Sequence, residues 1–408
     1  MSWQGCCRGG WFWRHIVFAG GLLLLLNRTR CADLKQQSQL VICPGVDSGQ
    51  CGPACRVAVC QALVNFYRST HNTSQPWVNN SGWNKTDSLS CKDLTVRQAN
   101  STGAPDYCSW HGVACCSPAG PRLHEQDTPL QHCSPSWSVK ALDLQVNNLN
   151  GSMDNAQLMA SLLQLHACGL LKLQLQGNGL SGSMGSPAWG AMTNVFYLDL
   201  AANWITGTLP DWLRKLTQLE RLSMGSNQLQ GTLPAWIGDD LPRLEVLSLG
   251  VNTGVGPGGV QGLSGTIPAS LGKLTNLTVL NLELNAFVGV LPTGLCGAES
   301  RLRALKLRGN RLHGSIEPLT RCAELTQLDV SSNNFSGPLT SPHAVGIWPQ
   351  LAVLDASSNA FTGPLPQSVY ELPMLEFLNL AHNRFSGPIR RHIMLSTYLK
   401  ESTLRTTS

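Results

Sequence analysis

The sequence has 408 residues, of which 42% are hydrophobic and only 13% are charged, and its formal net charge at pH 7 is +5. This composition supplies enough apolar side chains for a folded protein. Lys and Arg form no block longer than a pair such as Arg390 and Arg391. The chain therefore lacks the basic footprint that phosphate neutralisation needs, and we expect no nucleic-acid partner.

Residues 1–31 have the pattern of a secretory signal peptide. Arg8 and Arg14 precede an apolar stretch at residues 16–26, and cleavage after Cys31 would place the small Thr29 at the −3 position. The alternative is an uncleaved signal anchor, although a membrane span needs about 20 apolar residues. We expect the mature chain to be secreted or held at the cell surface, and an uncleaved segment would attach it to the plasma membrane.

The cysteines and sequons agree with passage through an oxidising compartment. Of fifteen cysteines, Cys6, Cys7 and Cys31 leave with the signal, and an even number remains for disulfide pairing. Eight N-x-S/T sequons are present. Two of them lie in the later part of the chain, at Asn276 and Asn334, and are candidate glycosylation sites.

Residues 32–134 are predicted to form a cysteine-rich N-terminal cap region. This segment lacks the period found downstream and holds nine of the twelve mature cysteines. Val59, Leu63, Phe66 and Thr70 are spaced as one face of a helix. A repeat array needs such an atypical terminal unit, because its first coil would otherwise expose a row of leucines.

Residues 135–389 contain ten copies of the pattern LxxLxLxxNxLxGxLP. Their asparagines are Asn147, Asn178, Asn203, Asn227, Asn252, Asn285, Asn310, Asn333, Asn359 and Asn383. Two spacings are long, one through padding around Met159 to Leu165 and one through a glycine-rich insert at Thr253 to Gln261. The period and the phase of the leucines are typical of leucine-rich repeats. We predict an α/β-repeat fold, a right-handed leucine-rich-repeat solenoid with a disulfide-rich N-terminal cap, followed by a C-terminal tail at 390–408.

Several motifs resemble those of plant-type extracellular leucine-rich-repeat proteins. The cap has ALVNF at 62–66, WN at 83–84 and CSWHGVAC at 108–115, and the repeats have GTLP at 207–210 and SGTIP at 264–268. The resemblance covers about residues 57–389 and implies a receptor-like protein ectodomain or a polygalacturonase-inhibitor-like protein. It also implies a disulfide between Cys108 and Cys115, whereas the pairing of the other cap cysteines stays open.

A second disulfide is predicted from position in the array. Cys296 and Cys322 lie 11 and 12 residues after the asparagines of adjacent repeats. They should therefore lie at nearly the same height on neighbouring coils, within the distance of about 7 Å between Cα atoms that a disulfide allows.

The candidate ligand-binding residues face away from the predicted core. Numbered from each asparagine, residues −5 and −3 point inward, so residues −4 and −2 point to the opposite, concave face. Further out, at positions −7 and −6, Phe196 and Tyr197 with Arg221 form an aromatic and cationic group, and side chains of these kinds carry much of the binding energy of interfaces. The predicted ligand-binding residues are Phe196, Tyr197, Arg221, Glu283, Lys306, Arg308 and Asp329. The alternative is that Glu283 and Arg308, and likewise Lys306 and Asp329, neutralise each other on adjacent strands.

No motif for catalysis, a cofactor or a metal is present. The only Gly-rich match, GVGPGG at 254–259, contains proline, lies inside the insert and opens no helix, so it does not predict a dinucleotide site. We therefore expect neither an enzyme nor a cofactor-binding or metal-binding protein.

The expected function is recognition on the concave face. The ligand would be an extracellular peptide, protein or cell-wall polysaccharide, in a receptor-like signalling or defence role with a membrane co-receptor. One alternative is an inhibitor of a secreted, polygalacturonase-like glycosidase, but Lys306 and Arg308 make the face more basic than a basic enzyme would favour. Another is a structural wall or adhesion glycoprotein.

Overall fold

The computed structural model describes most of the repeat region and parts of the cap. The described residues are 11–12, 29–30, 53–71, 74, 76–81, 83, 108, 110–115, 139–252, 262–340, 347–388 and 401–403. The chain divides into two units, residues 1–42 and 43–408. In the first, Trp11–Phe12 pairs antiparallel with Thr29–Arg30. The predicted cleavage site, the insert and most of the tail lie outside the described residues.

One long sheet runs along the second unit, and we call it the main sheet. Its strands, listed from one edge to the other, are Val113–Cys115, Val139–Asp143, Lys172–Gln174, Tyr197–Asp199, Arg221–Ser223, Val246–Ser248, Val279–Asn281, Ala304–Lys306, Gln327–Asp329, Val353–Asp355, Phe377–Asn379 and Glu401–Thr403. All neighbours pair parallel except the first two strands, which pair antiparallel. The −5 leucines of successive coils are in register, as Leu198 with Leu222.

Short strands on the other side of each asparagine form two further parallel sheets, which we call the secondary sheets. The first contains Asn150–Ser152, Gly179–Ser183, Trp204–Gly207 and Gln228–Leu229. The second contains Gly231–Thr232, Leu263–Gly265, Ala286–Gly289, Arg311–Gly314, Asn334–Gly337, Ala360–Gly363 and Arg384–Phe385. The +2 residue of each repeat, such as Leu180, Ile205 or Phe287, is buried in the core beneath these strands.

Helices close the remaining part of each coil. The α-helices are Pro53–Thr70, Ala156–Ala167, Trp236–Asp240 and Gln367–Tyr370, and the 3₁₀-helices are Pro187–Ala191, Asp211–Lys215, Ala269–Lys273 and Glu317–Arg321. Helix Pro53–Thr70 packs against helix Ala156–Ala167. The latter begins at Asn155, whose side chain accepts hydrogen bonds from the backbone of Gln157 and Leu158 at 2.8 and 3.0 Å.

The predicted helix face of the cap is buried. Val59, Leu63, Phe66 and Thr70 each have no exposed surface. The ring of Phe66 lies beside that of Trp83, whose indole donates to the carbonyl of His111 at 2.9 Å. This cluster covers the N-terminal edge of the array with aromatic surface.

A ladder of asparagines joins the coils. The amide of Asn227 donates to the carbonyl of Met224 in its own coil at 3.1 Å and to that of Leu200 in the preceding coil at 2.9 Å. Its carbonyl oxygen accepts from the backbone of Ile205 at 3.0 Å. A buried amide must be paired, and here it satisfies backbone groups that the turn would otherwise leave alone. The predicted leucine-rich-repeat fold is therefore confirmed.

Candidate functional site

The outward residues of the main sheet form rows that cross the strands. Because the strands pair in register, Tyr197 lies beside Arg221 and Asp199 beside Ser223. Neighbouring strands are about 4.8 Å apart, so each row places one side chain per coil at this interval. Residues −6, −4 and −2 make up this face, which is the predicted concave face.

A cation–aromatic cluster lies in the −6 row. The ring of Tyr197 has the ammonium of Lys172 at 4.6 Å from its centroid on one side and the guanidinium of Arg221 at 5.8 Å on the other. Lys172 is only 4% exposed, whereas Arg221 is exposed. Phe196 is half-buried, and its carbonyl accepts hydrogen bonds from the backbone of Glu220 and Arg221. The ring of Tyr197 thus lies between two cations from the two neighbouring strands, which hold it in position.

Lys172 belongs to this cluster but is not among the residues predicted from the sequence, although its place in the repeat pattern is enough to identify it. Lys172 occupies the same −6 position as Tyr197 and Arg221, one coil earlier. The whole −6 row, rather than its aromatic and arginine members alone, would have identified this lysine.

A glycine floor lies next to this cluster. Gly225 and Gly250 hold the −2 position on adjacent coils, beside Ser223 and Ser248 in the −4 row. A Cβ atom on Gly225 would lie 2.8 Å from the carbonyl oxygen of Gly250, and one on Gly250 would lie 2.7 Å from the Asn281 side-chain oxygen. No side chain fits there, because atoms of the next coil already fill the space, and both glycines are buried. The −2 row therefore carries no side chain between Ala201 and Glu283, which makes the face low at this point.

Lys306 and Arg308 lie beyond the floor, and their predicted partners are engaged elsewhere. Glu283 accepts a hydrogen bond from the Asn281 side chain at 3.1 Å. Asp329 accepts from the hydroxyl of Ser331 at 2.6 Å and from its backbone at 3.0 Å. Within the described part of the chain, no ion pair joins Lys306 to Asp329 or Arg308 to Glu283. Neither pair thus forms an ion pair, although the charge of Arg308 lowers the pKa of Asp329.

Two aspartates on this face have raised pKa values. Burial raises the pKa of Asp329 above its ordinary value of 3.8, hydrogen bonds from Ser331 lower it, and the nearby Asp355 raises it. Burial likewise raises the pKa of Asp199, and Asp143 adds to this. Half-burial thus makes the charge on these carboxylates costly.

The structure brings the predicted ligand-binding residues together in two groups rather than one. Phe196, Tyr197 and Arg221 lie on one side of the floor, and Glu283, Lys306, Arg308 and Asp329 lie on the other. Arg221 and Lys306 are three strands apart, or roughly 14 Å. A ligand that contacts both groups must therefore cross the floor.

The remaining predicted residues lie away from this face. Cys108 and Cys115 are disulfide-bonded with their Cα atoms 5.6 Å apart, and Cys296 and Cys322 are disulfide-bonded with theirs 5.1 Å apart. Asn334 is exposed. Asn276 is half-buried. Among the residues described, no group of three or more His, Cys, Asp or Glu is arranged to hold a metal, and no helix has the length and hydropathy of a membrane span.

Comparison with known proteins gives leucine-rich-repeat relatives. The Leucine Rich Repeat family model matches residues 194–216 and 218–239. Receptor-like protein 35 of Arabidopsis thaliana is 30% identical over 216 residues, which are 52% of this chain and 21% of that protein. BRASSINOSTEROID INSENSITIVE 1 of Arabidopsis thaliana is 34% identical over 201 residues, 48% of this chain and 14% of that protein. The chain thus spans 21% or less of the length of these two relatives.

Solved structures of plant receptor ectodomains share the fold. The ectodomain of the Arabidopsis receptor kinase HAESA, in complex with an extended IDA peptide hormone, has a TM-score of 0.60 at 25% identity and covers 84% of this chain and 53% of that chain. The plant peptide hormone receptor RGFR1 in complex with RGF2 has a TM-score of 0.51 at 28% identity and covers 59% of this chain and 37% of that chain. Both comparisons confirm the resemblance seen in the cap and repeat motifs.

Proposed function

From the premise that the chain is a leucine-rich-repeat protein of the plant extracellular type, we propose that it binds an extracellular peptide on the outward face of the main sheet. The peptide lies across the strands, from the cation–aromatic cluster at Tyr197 over the glycine floor to Lys306 and Arg308. The proposal involves no catalysis. It places the chain outside the cell in a receptor-like role.

The glycine floor carries this proposal. Elsewhere on the face, side chains of residues −6, −4 and −2 keep a ligand backbone away from the sheet. Gly225 and Gly250 are themselves buried and add no side chain to the −2 row, so an extended peptide here meets mainly the small side chains of Ser223 and Ser248 in the −4 row. The groups that flank the floor are of the kinds that anchor interfaces: a tyrosine and an arginine on one side, and on the other a lysine and an arginine that form no ion pair among the described residues.

The charge of the face favours a peptide with acidic groups. Arg221, Lys306 and Arg308 surround the floor, whereas Glu283 and Asp329 are held by neighbouring side chains. An acidic peptide would gain charge-assisted hydrogen bonds from these cations. The HAESA and RGFR1 ectodomains were solved with peptide hormones, which supports a peptide as the ligand class.

The test begins with selection of ligands from a display library of secreted plant peptides on the purified chain. For a selected peptide, we expect Tyr197→Ala and Arg221→Ala each to weaken binding by more than ~1 kcal/mol with an unchanged melting temperature. Lys306→Ala should weaken acidic peptides more than neutral ones. Arg301→Ala is the matched control, because Arg301 is exposed and lies outside the floor and its flanking groups.

Two results would count against the proposal. One is equal affinity of the wild type and both variants for every selected peptide. The other is an equal loss of affinity in Arg301→Ala, which would indicate a general effect of net charge rather than contact at the floor.

A further inference from the structure

The secondary sheets carry a second exposed surface, separate from the main sheet. Numbered from each asparagine, the +2 residue is buried, and the +3 and +5 residues face solvent or are half-buried. We call these two rows the neutral face, with positions in the fifth repeat shifted by its insert. The +3 row is Asn150, Ser181, Thr206, Gln230, Ser264, Val288, His313, Ser336, Thr362 and Ser386. The +5 row is Ser152, Ser183, Thr208, Thr232, Thr266, Val290, Ser315, Pro338, Pro364 and Pro388.

The neutral face contains no Asp, Glu, Lys or Arg among these twenty positions, although 13% of the chain is charged. His313 is its one ionisable residue. The main-sheet face differs, since its −4 and −2 rows include Asp143, Asp199, Lys306 and Arg308. A charge that is covered by an uncharged ligand loses its hydration without gaining a partner. An uncharged face of this length therefore suits an uncharged ligand.

The centre of the neutral face is regular. Thr208, Thr232 and Thr266 are exposed, and each methyl carbon lies 2.9 Å from the place that a Cβ would take on the glycine of the next coil. Val290 repeats the arrangement at 3.0 Å. Those glycines have φ between +76° and +87°. Threonine side chains thus share one orientation and recur once per coil, with each hydroxyl able to donate and accept hydrogen bonds.

An exposed tryptophan adjoins this row. Trp204 is 59% exposed and lies at the +1 position of the same coil as Thr206 and Thr208. Val290 is 56% exposed three coils further on. A large exposed indole offers an apolar ring and one N–H donor. In its third to sixth coils the face therefore combines a flat ring with rows of hydroxyls and methyl groups, and no charge in the +1, +3 and +5 rows. The neighbouring charged groups lie in other coils, namely Asp154, which accepts from the hydroxyl of Ser183 at 2.9 Å, and the exposed Arg311 and Arg384 at the +1 positions of the seventh and tenth coils.

We propose that the neutral face binds the chain of an uncharged polysaccharide, with Trp204 as the stacking platform. A pyranose ring has C–H groups on its faces and hydroxyls around its rim. The C–H groups match the indole and the threonine methyls, and the hydroxyls match the Ser, Thr, Asn and Gln side chains. An extended neutral glycan is linear and periodic like the face itself. Acidic glycans and charged peptides find no counter-charge in the +1, +3 and +5 rows of its third to sixth coils.

The glycosylation sequons limit where a bound polysaccharide can lie on the neutral face. Asn150 in the first coil and Asn334 in the eighth are exposed on the secondary sheets, at positions +3 and +1. A glycan on either asparagine would occupy one end of the array. The stretch from Trp204 to Val290 lies between them, so the proposed site is centred on the third to sixth coils.

The test measures binding of the full chain to cellohexaose and its retention on amorphous cellulose. We expect Trp204→Ala to lower the affinity by ~10-fold or more, as expected for loss of an aromatic anchor. Thr232→Lys should have a similar effect, because it places a charge in the uncharged row. Thr217→Lys is the matched control. Thr217 is exposed like Thr232 but lies after the 3₁₀-helix Asp211–Lys215. Thr217→Lys changes the net charge by the same amount, so this variant should bind cellohexaose as the wild type does.

Three outcomes would overturn the proposal. The first is equal binding by all variants. The second is tighter binding to hexagalacturonate, the acidic counterpart, than to cellohexaose. The third is self-association or adsorption to ice that Thr232→Lys abolishes while no glucan binds, which would assign the face to a second copy or to ice. Tyr197→Ala tests independence from the proposed peptide site, since it should leave cellohexaose binding unchanged.

Discussion

At the scale of single residues, the turn before each ladder asparagine has a left-handed backbone. The residue before the asparagine has positive φ in all of the repeats, including Val146 at 50°, Val251 at 60° and Leu284 at 49°. A left-handed conformation costs roughly 1–2 kcal/mol for residues other than glycine, and β-branched residues are least suited to it. These three side chains are also substantially exposed. Val146, which is 68% exposed, therefore lowers the stability of the fold while contributing little buried surface.

Replacing Val146 with asparagine should stabilise the protein. Asparagine tolerates the left-handed region, so we expect a gain of about 1 kcal/mol in the free energy of unfolding, measured by urea denaturation. Val78→Asn is the control, because Val78 is 69% exposed against 68% for Val146 and is absent from the residues with positive φ. If both variants gained the same free energy of unfolding, the cause would be the polar surface side chain and not the backbone conformation of residue 146.

The raised pKa of Asp329 predicts how stability depends on pH. A carboxyl whose native pKa is raised binds protons more readily in the folded state, so its charge lowers stability as pH rises from its ordinary value of 3.8 through the native value. Asp329→Asn should therefore raise the melting temperature at about pH 7, and the difference should vanish near about pH 3. The amide can still accept from Ser331. An unchanged difference across this range would contradict the assignment.

Sequence reasoning found part of the candidate site at this scale. Tyr197 and Arg221 were recognisable because aromatic and arginine side chains stand out in the −6 row. The floor at Gly225 and Gly250 was not, since glycine occurs throughout the repeats and only the packing distances show which positions exclude a side chain. The hydrogen bond from Asn281 to Glu283 was not predicted either. Strand register shows which residues are neighbours, but it does not show whether a side chain bonds to a residue of its own coil or to one on the next strand.

At the scale of elements, the coil is the unit of stability, and the asparagine ladder joins one coil to the next. Asn227 pairs two carbonyls and one N–H that belong to two coils. The leucines fill the interior, but apolar contact is not directional. The ladder adds the directional bonds that hold the coils in register.

Asn227→Ala should therefore destabilise the array strongly. It leaves the buried N–H of Ile205 without its acceptor, which costs ~1–3 kcal/mol. It also removes the hydrogen bonds to the carbonyls of Leu200 and Met224, which keep only their bonds from Asn203 and Asn252, and each lost bond costs ~1 kcal/mol. We expect a loss of about 3 kcal/mol or more in the free energy of unfolding, measured by urea denaturation. Asn194→Ala is the matched control, because Asn194 is exposed, and it should change stability by less than about 0.5 kcal/mol.

The repeat pattern predicted the elements well, and the exceptions have physical causes. The ten main-sheet strands of the repeats follow from the alternation around each asparagine. The long first spacing was interpreted as padding around Met159 to Leu165, whereas it forms helix Ala156–Ala167 with Leu158, Leu162 and Leu165 buried. These three leucines are spaced as one face of a helix, but the stronger leucine-rich-repeat pattern on either side determined how the segment was interpreted. Strand Glu401–Thr403 has no leucine pattern at all.

At the scale of the whole second unit, strands from outside the repeats form both edges of the main sheet. Val113–Cys115 pairs antiparallel with the first repeat strand, and Glu401–Thr403 pairs with the last. An open edge presents unpaired N–H and C=O groups to other chains. The terminal strands therefore cover both ends of the array with polar or disulfide-linked segments.

The cap disulfide should protect the first coils more than the last. Each coil contacts mainly its neighbours, so local changes stay local in such arrays. In Cys108→Ser/Cys115→Ser, we expect faster amide hydrogen exchange in Val139–Asp143, which pairs with the cap strand, and unchanged exchange in Phe377–Asn379. Uniformly faster exchange, measured by mass spectrometry, would show that the second unit unfolds as one cooperative block.

The asparagine ladder also affects how such a protein changes over generations. Every join between coils uses the same bonds, from one side-chain amide to two carbonyls and from one N–H to its oxygen. A duplicated or deleted gene segment that encodes one whole coil can therefore create a join of the same kind as those on either side. Such duplications and deletions can lengthen or shorten both exposed faces by one coil at a time, while the leucine packing inside the remaining coils is unchanged.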